Sequence, residues 1–352
     1  MNYMFLLDFL LLLLGFIIIR SYRQKVNVKS TYYDASQVSV VIPFRNEANQ
    51  LPQLISAIQA LTIQPLEIIW INDHSEDNSM LHLQQLPNHH KTFSLPTNVV
   101  GKKNALKLGI EMSKGKYVLT WDADIVIKSD FFYALQNEPI TDLLILPVQM
   151  QGENLKEVFY ELDYYFVNAL NKGLTSIMQP FIANGANLLF EKEKYYSTAS
   201  YKYPPTIASG DDMFLLHDFK LQNYDCRIST TSELIAKTST PKTFSEFIHQ
   251  RIRWAQKTPQ LKDTHLRIVT YVGMGIELLY FSFLFTDKFL LCIFLKIALD
   301  GLFLIPFLFV IQRKKITPFL PLFSILHPFY FLYISLIMQF KKVDWKNRPL
   351  GK

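Results

Sequence analysis

The stretch Val38–Leu61, VSVVIPFRNEANQLPQLISAIQAL, decides the fold class of this chain. Residues Val38 to Ile42 form an apolar, largely β-branched run, which is typical of a parallel strand buried on both faces. Residues Pro43 to Glu47 are predicted to form a loop, and the apolar positions after them recur at the spacing of an amphipathic helix. A strand, a loop and a helix in this order indicate the first unit of an α/β sheet.

The same pattern recurs twice further along the chain. It is found in LEIIWINDHSEDNS, residues 66–79, and in GKYVLTWDADIVI, residues 115–127, where a buried strand is followed by an acidic loop. Polar groups at the carboxyl ends of parallel strands form the ligand-binding edge of such sheets. We therefore predict an α/β domain over residues 38–235 with its site along that edge.

The chain as a whole is too apolar for a single soluble domain. Of its 352 residues 49% are hydrophobic and 14% are aromatic, and the apolar residues are concentrated in four segments. The first, residues 3–19, is long enough to span a bilayer and is followed by the basic stretch RSYRQK, residues 20–25. It predicts an N-terminal transmembrane anchor over residues 1–22 whose C-terminal side is cytoplasmic, with a cleaved signal peptide as the alternative.

The other apolar segments lie in a predicted membrane region, residues 267–340, which is followed by a basic tail, residues 341–352. If all of them span and the domain is cytoplasmic, the tail ends outside against its positive charge, so a re-entrant or interfacial segment is the alternative. Lys296 and Asp300 lie four residues apart and are expected to pair on one helix face. The three predicted segments are residues 268–286, 289–311 and 317–339.

Charge and cysteine content indicate the cellular surroundings of the chain. Lysine and arginine cluster beside the apolar segments, and the formal net charge is +6. This favours contact with anionic lipid headgroups over nucleic acid. The two cysteines, Cys226 and Cys292, are too few for a disulfide framework and lack metal-ligand spacing, so we expect the domain in a reducing compartment.

The acidic loops contain candidate metal ligands. Asp122 and Asp124 flank one alanine directly after a hydrophobic strand, so both carboxylates are expected near a single point. Hard oxygen ligands of this kind suit Mg²⁺ or Mn²⁺ bridging a diphosphate. Acidic loops are common, however, and the pair alone also fits an ordinary surface loop. Likewise Asp73 and Asp77 could each simply cap a helix.

The stretch FIHQRIRWAQK, residues 247–257, places a tryptophan among cationic side chains just before the chain becomes apolar. It lies in a predicted interfacial segment, residues 236–266. Tryptophan and arginine both favour the headgroup layer, so a membrane-interface anchor is one interpretation. The other is a part of the site, which the motif alone does not decide.

Seven motifs in order carry a resemblance to a known family. They resemble the membrane-bound inverting glycosyltransferases of family 2, which have a Rossmann-like GT-A catalytic domain. That family includes cellulose, chitin, hyaluronan and poly-N-acetylglucosamine synthases and lipid glycosyltransferases similar to ceramide glucosyltransferase. The resemblance covers roughly residues 38–256. The motifs are VSVVIPFRNE, INDHSEDNS, GKKNALKLGI, WDAD, ANGANLLFEK, SGDDMFL and QRIRW.

The resemblance implies roles for individual residues. One residue departs from the family's pattern, because Asp211 stands where the family usually has Glu before the base. Arg251, inside the last motif, is expected to point elsewhere on its helix and to tolerate lysine. The implied donor-binding residues are Pro43, Arg45, Glu47, Asp73, Lys102 and Asp122; the implied metal ligand is Asp124, beside Asp122; the implied base is Asp212; and Gln250, Arg253 and Trp254 complete the Q-x-x-R-W motif.

The resemblance also implies a reaction. A metal-dependent enzyme with Mg²⁺ or Mn²⁺ would move a sugar, with inversion, from a nucleotide-sugar such as a UDP-sugar to a lipid or lipid-linked acceptor. A processive polysaccharide synthase is the alternative, although three C-terminal segments are few for an export path. A transporter or a non-catalytic scaffold is disfavoured because the polar residues concentrate in the domain and the acids are all present. The expected place is the bacterial inner membrane, with the domain in the cytoplasm, as a cell-envelope enzyme without nucleic-acid partners.

Overall fold

The computed structural model describes most of the chain, and the described residues fall into two compact units. The sheet unit comprises residues 26–149, 183–239 and 344–352, and the helical unit comprises residues 1–25, 150–182 and 240–343. The described residues are 2–23, 31–84, 86–202, 211–256, 262–283, 285–338, 344–345 and 348–349, with the side chains of 2–9, 200, 202, 211, 344–345 and 348–349 left aside.

The regular elements are numbered in chain order. The strands are β1 (Val38–Phe44), β2 (Glu67–Asn72), β3 (His90–Ser94), β4 (Tyr117–Trp121), β5 (Leu143–Ile145), β6 (Val148–Gln151), β7 (Asn187–Glu191), β8 (Cys226–Ile228), β9 (Ala236–Ser239), β10 (Asp344–Trp345) and β11 (Arg348–Pro349). The α-helices are α1 (Asn2–Arg23), α2 (Leu51–Gln59), α3 (Lys102–Met112), α4 (Phe131–Leu135), α5 (Leu155–Gly173), α6 (Lys192–Tyr196), α7 (Ala199–Lys202), α8 (Asp211–Leu221), α9 (Phe244–Ala255), α10 (Thr264–Phe283), α11 (Phe289–Val310) and α12 (Leu320–Ile337). Short 3₁₀ helices span Ala35–Gln37, Asn78–Leu83, Ser232–Leu234 and Lys314–Phe319.

The sheet unit is built on a seven-stranded sheet in the order β3-β2-β1-β4-β7-β5-β8. Strand β1 lies parallel between β2 and β4, and every residue of β1, β2 and β4 is buried. This explains why their sequences are continuous apolar runs and not alternating ones. Strand β7 runs antiparallel to β4 and β5, so the sheet is mixed. The predicted α/β, Rossmann-like fold is confirmed.

Strand β1 is longer than the sequence indicated. It continues through Pro43 to Phe44, and Pro43 is aligned with Ile71 of β2. The pairing of β1 with β4 ends at Val41, opposite Thr120. Pro43 therefore lies where one neighbouring strand is already absent, which is where a sheet tolerates the missing N–H of proline. The prediction that the loop begins at Pro43 is wrong by two residues.

The helical unit contains the candidate membrane spans. Within the described residues three helical stretches are long and apolar enough to cross a bilayer, which confirms the three C-terminal segments. Helix α1, whose side chains are described from Leu10 onward, is not among them, and the N-terminal anchor stays a prediction. The three stretches are Thr264–Phe283, Phe289–Val310 and Lys314–Ile337.

Buried ion pairs hold the helices of this unit together. The Lys296 ammonium donates to both oxygens of Asp300, at 2.8 and 2.7 Å, which confirms the predicted pair. It also lies 3.5 Å from Glu277 of α10, whose carboxylate is 3.1 Å from Nδ1 of His327 on α12. Charges that are buried in apolar surroundings persist when they are paired in this way. The Lys296–Asp300 pair therefore allows both charges to be buried inside the bundle.

Candidate active site

The predicted donor residues of the sheet unit follow neighbouring strands. Strands β1, β2 and β4 are parallel, so the loops after them open at one edge of the sheet. The strand order runs from β1 to β2 and β3 on one side and to β4 on the other. Ligands of open α/β sheets bind where the order reverses in this way, just outside the carboxyl ends of the strands. The crevice beyond β1 and β4 is therefore the candidate donor site.

Hydrogen bonds tie the loop after β1 to the loop after β2. The Glu47 N–H donates to Ser79 Oγ at 2.8 Å, and the Ala48 N–H donates to Asp77 Oδ2 at 3.0 Å. The other oxygen of Asp77 accepts from the Ser79 N–H at 3.0 Å and caps the helix Asn78–Leu83. The capping interpretation of Asp77 is confirmed. The structural role of Ser79 was missed, because a serine inside an acidic loop carries no pattern that points to a partner about thirty residues away.

The other predicted donor residues of these two loops differ in how deeply their side chains are buried. Pro43 is buried within β1, whereas Arg45 and Glu47 are half-buried in the loop itself. Asp73, directly after β2, is buried, and its Oδ1 accepts from the Gly101 N–H at 3.0 Å. The fold thus buries the side chains of Pro43 and Asp73 and leaves those of Arg45 and Glu47 half-buried.

Gly101 connects Asp73 to the start of helix α3. Its φ of 102° lies in a region that a residue with a Cβ rarely adopts, which explains the glycine at this position. The next residue, Lys102, forms an ion pair with Asp122 at the end of β4. The strand ends after β2 and β4 are therefore joined through Gly101 and Lys102.

Asp124 lies near the carboxylates of Asp122 and Glu47 at this edge. It keeps exposed surface, and its Oδ2 accepts from Thr238 Oγ1 at 3.3 Å. Its pKa is raised to about 6, because the surrounding protein removes hydration and because the carboxylates of Asp122 and Glu47 repel further negative charge. A cation bound here would relieve that repulsion.

The chemistry of these side chains fits a divalent cation that arrives with its substrate. Within the described residues no group of three or more His, Cys, Asp or Glu side chains is arranged to hold a metal alone. Mg²⁺ is commonly bound by one or two carboxylates together with substrate phosphates, not by a complete protein cage. Asp122 and Asp124 provide two such carboxylates.

Asp212 is held at the same edge of the sheet. Its carboxylate accepts from the Gly185 N–H at 2.9 Å and from the Met213 N–H at 2.8 Å, near the start of α8. Gly185 precedes β7, and the first residue of β7, Asn187, pairs with Trp121, the residue before Asp122. Because β7 is antiparallel to β4, its beginning meets the end of β4, which brings the predicted base to the side of the acidic pair.

Two supporting residues of this arrangement were missed in the sequence. Gly185 donates its N–H to Asp212, and its carbonyl accepts from Thr120 Oγ1 at 2.8 Å. The Asn187 side chain accepts from the Trp121 indole at 3.1 Å. The motif ANGANLLFEK contained both residues but indicated no roles for them. With Thr120, Lys103 and apolar side chains, Asp212 lines a narrow cavity of about 50 Å³.

The Q-x-x-R-W residues lie in the helical unit, on α9. Thr243 and Glu246 form a capping box at its first turn, a signal that the sequence TFSE already contained. Trp254 is half-buried, with its ring centroid 6.0 Å from that of Tyr164. Tyr164 belongs to α5 and is buried.

Arg251 is not the neutral position that the sequence suggested. Its guanidinium forms a buried ion pair with Asp163 of α5 and lies 4.4 Å from the centroid of the Trp254 ring. An ammonium group cannot reproduce both a planar stack and several directed hydrogen bonds. These contacts favour the opposite prediction, that Arg251→Lys is not neutral. The departure at Asp211 lies outside the described side chains.

Comparisons with known proteins agree with this arrangement. The profile of glycosyl transferase family 2 matches residues 39–181, and that of glycosyl transferase family group 2 matches residues 117–337. The poly-beta-1,6-N-acetyl-D-glucosamine synthase of Staphylococcus epidermidis is 25% identical over 245 residues, 67% of this chain and 58% of that protein. The undecaprenyl-phosphate 4-deoxy-4-formamido-L-arabinose transferase of Proteus mirabilis is 35% identical over 103 residues, 27% of this chain and 31% of that protein. The chain thus spans less than two thirds of these curated relatives.

One solved structure is similar over nearly the full length. The mannosyltransferase PcManGT from Pyrobaculum calidifontis, in complex with GDP-Man and Mn²⁺, has a TM-score of 0.53 and 14% identity. The similarity covers 91% of this chain and 94% of that one, and it concerns the fold alone. Together the GT-A type sheet, the three apolar helices of a membrane protein and a family profile over more than half of its length show that this chain belongs to glycosyl transferase family group 2.

Proposed function

We propose that the chain is an inverting glycosyltransferase that moves a sugar from a nucleotide-sugar to a hydroxyl of a lipid or lipid-linked acceptor. The observation that carries the proposal is the position of Asp212 at the sheet edge that also holds Asp122 and Asp124. A carboxylate beside a cation-binding carboxylate pair provides a base and a leaving-group site within one crevice.

In this proposal the donor binds outside β1 and β4. Arg45, Glu47 and Asp73 hold the base and ribose, and Lys102 and Asp122 lie beside the diphosphate. Asp122 and Asp124 hold Mg²⁺ or Mn²⁺, which when bound neutralises the charge that develops on the departing nucleotide. The carboxylates of Asp122 and Glu47 repel the negative charge of Asp124, and a cation bound at this point would relieve that repulsion.

The transfer step uses Asp212 as the general base. Its carboxylate takes the proton of the acceptor hydroxyl while the acceptor oxygen attacks the anomeric carbon from the face opposite the nucleotide. The new carbon–oxygen bond forms as the bond to the diphosphate oxygen breaks, so the configuration inverts. The resemblance to the family implies that the guanidinium of Arg253 stabilises the departing diphosphate. The two backbone N–H groups that bind Asp212 keep its carboxylate oriented.

The acceptor is proposed to be presented at a membrane surface. Helix α9 ends at Ala255 and the first candidate span begins at Thr264, so the Q-x-x-R-W motif is close in sequence to the bilayer. A processive polysaccharide synthase is the second candidate, and the similarity to the Staphylococcus epidermidis synthase over 67% of this chain favours it. Product size distinguishes the two.

The test uses the full chain purified into lipid nanodiscs. UDP- and GDP-sugars are offered one at a time with Mn²⁺ and a bacterial lipid extract, and released nucleotide diphosphate and glycosylated lipids are measured by mass spectrometry. The proposal expects one donor to give a new lipid product or a polymer, with inverted configuration. A folded chain that neither binds, hydrolyses nor transfers any of these donors would overturn it.

The Q-x-x-R-W motif gives a prediction that separates an acceptor platform from a membrane anchor. We expect Trp254→Ala to raise the acceptor KM or abolish transfer while slow hydrolysis of the donor by water persists, because an acceptor would lose the flat apolar face of the indole. Trp254→Phe should retain part of the transfer activity. Arg253→Lys should impair transfer more than membrane insertion, since an ammonium replaces a bidentate group poorly. If Trp254→Ala mainly lowers the inserted yield, the anchor interpretation holds instead.

The proposed location places the sheet unit in the cytoplasm of a bacterial inner membrane. Ser94, at the end of β3, is exposed and suits a reporter cysteine. We expect Ser94→Cys to react with a membrane-impermeant maleimide only after cells are opened. Labelling of Ser94→Cys in intact cells, with a cytoplasmic marker protein left unlabelled, would reverse the proposed orientation.

A further inference from the structure

Arg251 lies between Gln250 and Trp254 in the Q-x-x-R-W motif and is buried. On α9 its guanidinium carbon lies 4.6 Å from the ring centroid of Phe247, four residues earlier, and 4.4 Å from that of Trp254, three residues later. Residues at these spacings share one helix face. Phe247 is itself stacked on Tyr160 of α5, with ring centroids 3.9 Å apart. The Trp254 ring therefore packs against Arg251, which packs against Phe247. Through Phe247 these contacts extend to Tyr160 of α5.

Hydrogen bonds fix the orientation of the Arg251 guanidinium. Its Nε donates to Asp163, its Nη2 donates to the Tyr160 carbonyl at 3.0 Å, and its Nη1 donates to Oε1 of Gln250. Only 6% of Arg251 is exposed. A planar cation held in this way has little freedom to turn, so both motif side chains that it contacts are constrained with it.

Asp163, the partner of Arg251, also lies close to a histidine. Its Oδ1 lies 3.8 Å from Nε2 of His327 on α12, and Nδ1 of the same ring is 3.1 Å from Glu277 on α10. The carboxylate of Asp163 is buried, so it requires a charged partner to remain ionised there. The Arg251 pair therefore connects the motif helix to the charged cluster of the membrane helices within one unit.

We propose that the Asp163–Arg251 pair positions the Gln250 and Trp254 side chains for the acceptor. Arg251 and Asp163 are positioning residues in this proposal and do not touch the substrate. The proposal rests on the proposed glycosyltransferase function for its kinetic readout. Its structural readout depends only on the contacts between α9 and α5.

The primary test replaces Asp163 by asparagine in the full-length chain. The variant keeps the shape of the side chain and removes the charge that holds the guanidinium, so the Trp254 ring loses its oriented neighbour. Acceptor transfer should fall by about 10²-fold, the usual cost of misplacing a reacting group, with a raised acceptor KM. Donor affinity and the slow hydrolysis of the donor by water should stay at the wild-type level. Arg251→Lys, which retains the ion pair but not the planar stack, should give the same pattern in a milder form.

A second buried pair on α5 provides a matched control. Glu161 accepts two hydrogen bonds from Arg313, at 2.8 and 2.5 Å, and its side chain is fully buried. Within the described residues neither partner forms a hydrogen bond or ion pair with Gln250 or Trp254. Glu161→Gln therefore removes a comparable buried charge from the same helix. It should lower thermal stability and leave the acceptor KM unchanged.

A fluorescence measurement tests the positioning without any activity. The emission of Trp254 is obtained as the difference between each variant and the same variant carrying Trp254→Phe. Asp163→Asn and Arg251→Lys should change that difference spectrum, whereas Glu161→Gln should not. If Asp163→Asn yields no folded protein, Arg251→Lys carries both measurements.

The outcomes separate the two proposals. An unchanged Trp254 spectrum in Asp163→Asn and Arg251→Lys, or an equal change in Glu161→Gln, would overturn the positioning role whatever the activity. Wild-type protein that neither binds nor turns over any donor would overturn the proposed function, and the spectra would still decide the positioning role. Equal loss of donor hydrolysis and acceptor transfer in Asp163→Asn would mean that the pair supports the fold and not the acceptor.

Discussion

Asp212→Asn is expected to lower the rate of sugar transfer by about 10² to 10⁴-fold, the usual contribution of a general base. The amide keeps the shape of the side chain but cannot take the acceptor proton. The single oxygen of the amide can still accept a hydrogen bond from the N–H of Gly185 or of Met213, so the local backbone conformation should be retained. Donor affinity should therefore barely change. Single-turnover transfer and donor binding by calorimetry measure the two effects separately.

Asp225→Asn is a suitable control for this experiment. Asp225 is an exposed aspartate of the sheet unit, paired with Arg227 at 2.7 Å, and it lies outside the candidate site. We expect it to retain wild-type transfer. If Asp212→Asn weakens donor binding and transfer to the same extent, Asp212 binds the donor and is not the base. Asp211 would then be the next residue to replace.

Asp124→Asn is expected to abolish metal-dependent turnover. The substitution removes one of the two carboxylates proposed to hold Mg²⁺ or Mn²⁺, and with it the negative charge that attracts the cation. Donor binding should become weaker and lose its dependence on Mn²⁺, while the chain stays folded and inserted. Titration of the donor into wild-type and variant protein, each with Mn²⁺ and with EDTA, measures this directly.

Two further samples show whether loss of the metal causes the loss of turnover in Asp124→Asn. Thr238→Val removes the hydroxyl that donates to Asp124 but leaves the carboxylate, so it should reduce turnover only slightly. The wild type should lose its activity in EDTA and regain it on addition of Mn²⁺. Full wild-type activity in EDTA would remove the metal from the mechanism and leave Asp122 and Asp124 without a ligand role.

Much of the sheet unit could be predicted because its strands and the loops after them are encoded by short, contiguous stretches of sequence. Strands β1, β2 and β4 are continuous apolar runs, since a parallel strand buried on both faces requires them, and each is followed at once by its polar loop. The Lys296–Asp300 pair was predictable for the same reason, because a spacing of four residues on a helix already brings two side chains together.

The errors came from partners that are distant in sequence. The end of β1 was misplaced because Pro43 usually stops a strand, and only the early end of the β4 pairing shows why it is tolerated. Arg251 was taken for a tolerant position because helical spacing shows which way a side chain points but not what lies there. Its partner Asp163 is 88 residues away.

The amino-acid sequence by itself determined the α/β fold class, the three apolar C-terminal segments and the set of motif residues, because each depends on spacings within a few residues. Only the tertiary structure decided which groups meet: Gly185 with Asp212, Gly101 with Asp73, and Asp163 with Arg251. It also placed Pro43 inside strand β1, opposite Ile71 of β2. These contacts join segments that are far apart in the chain, and they arise from strand pairing and helix packing, which no local pattern of side chains encodes.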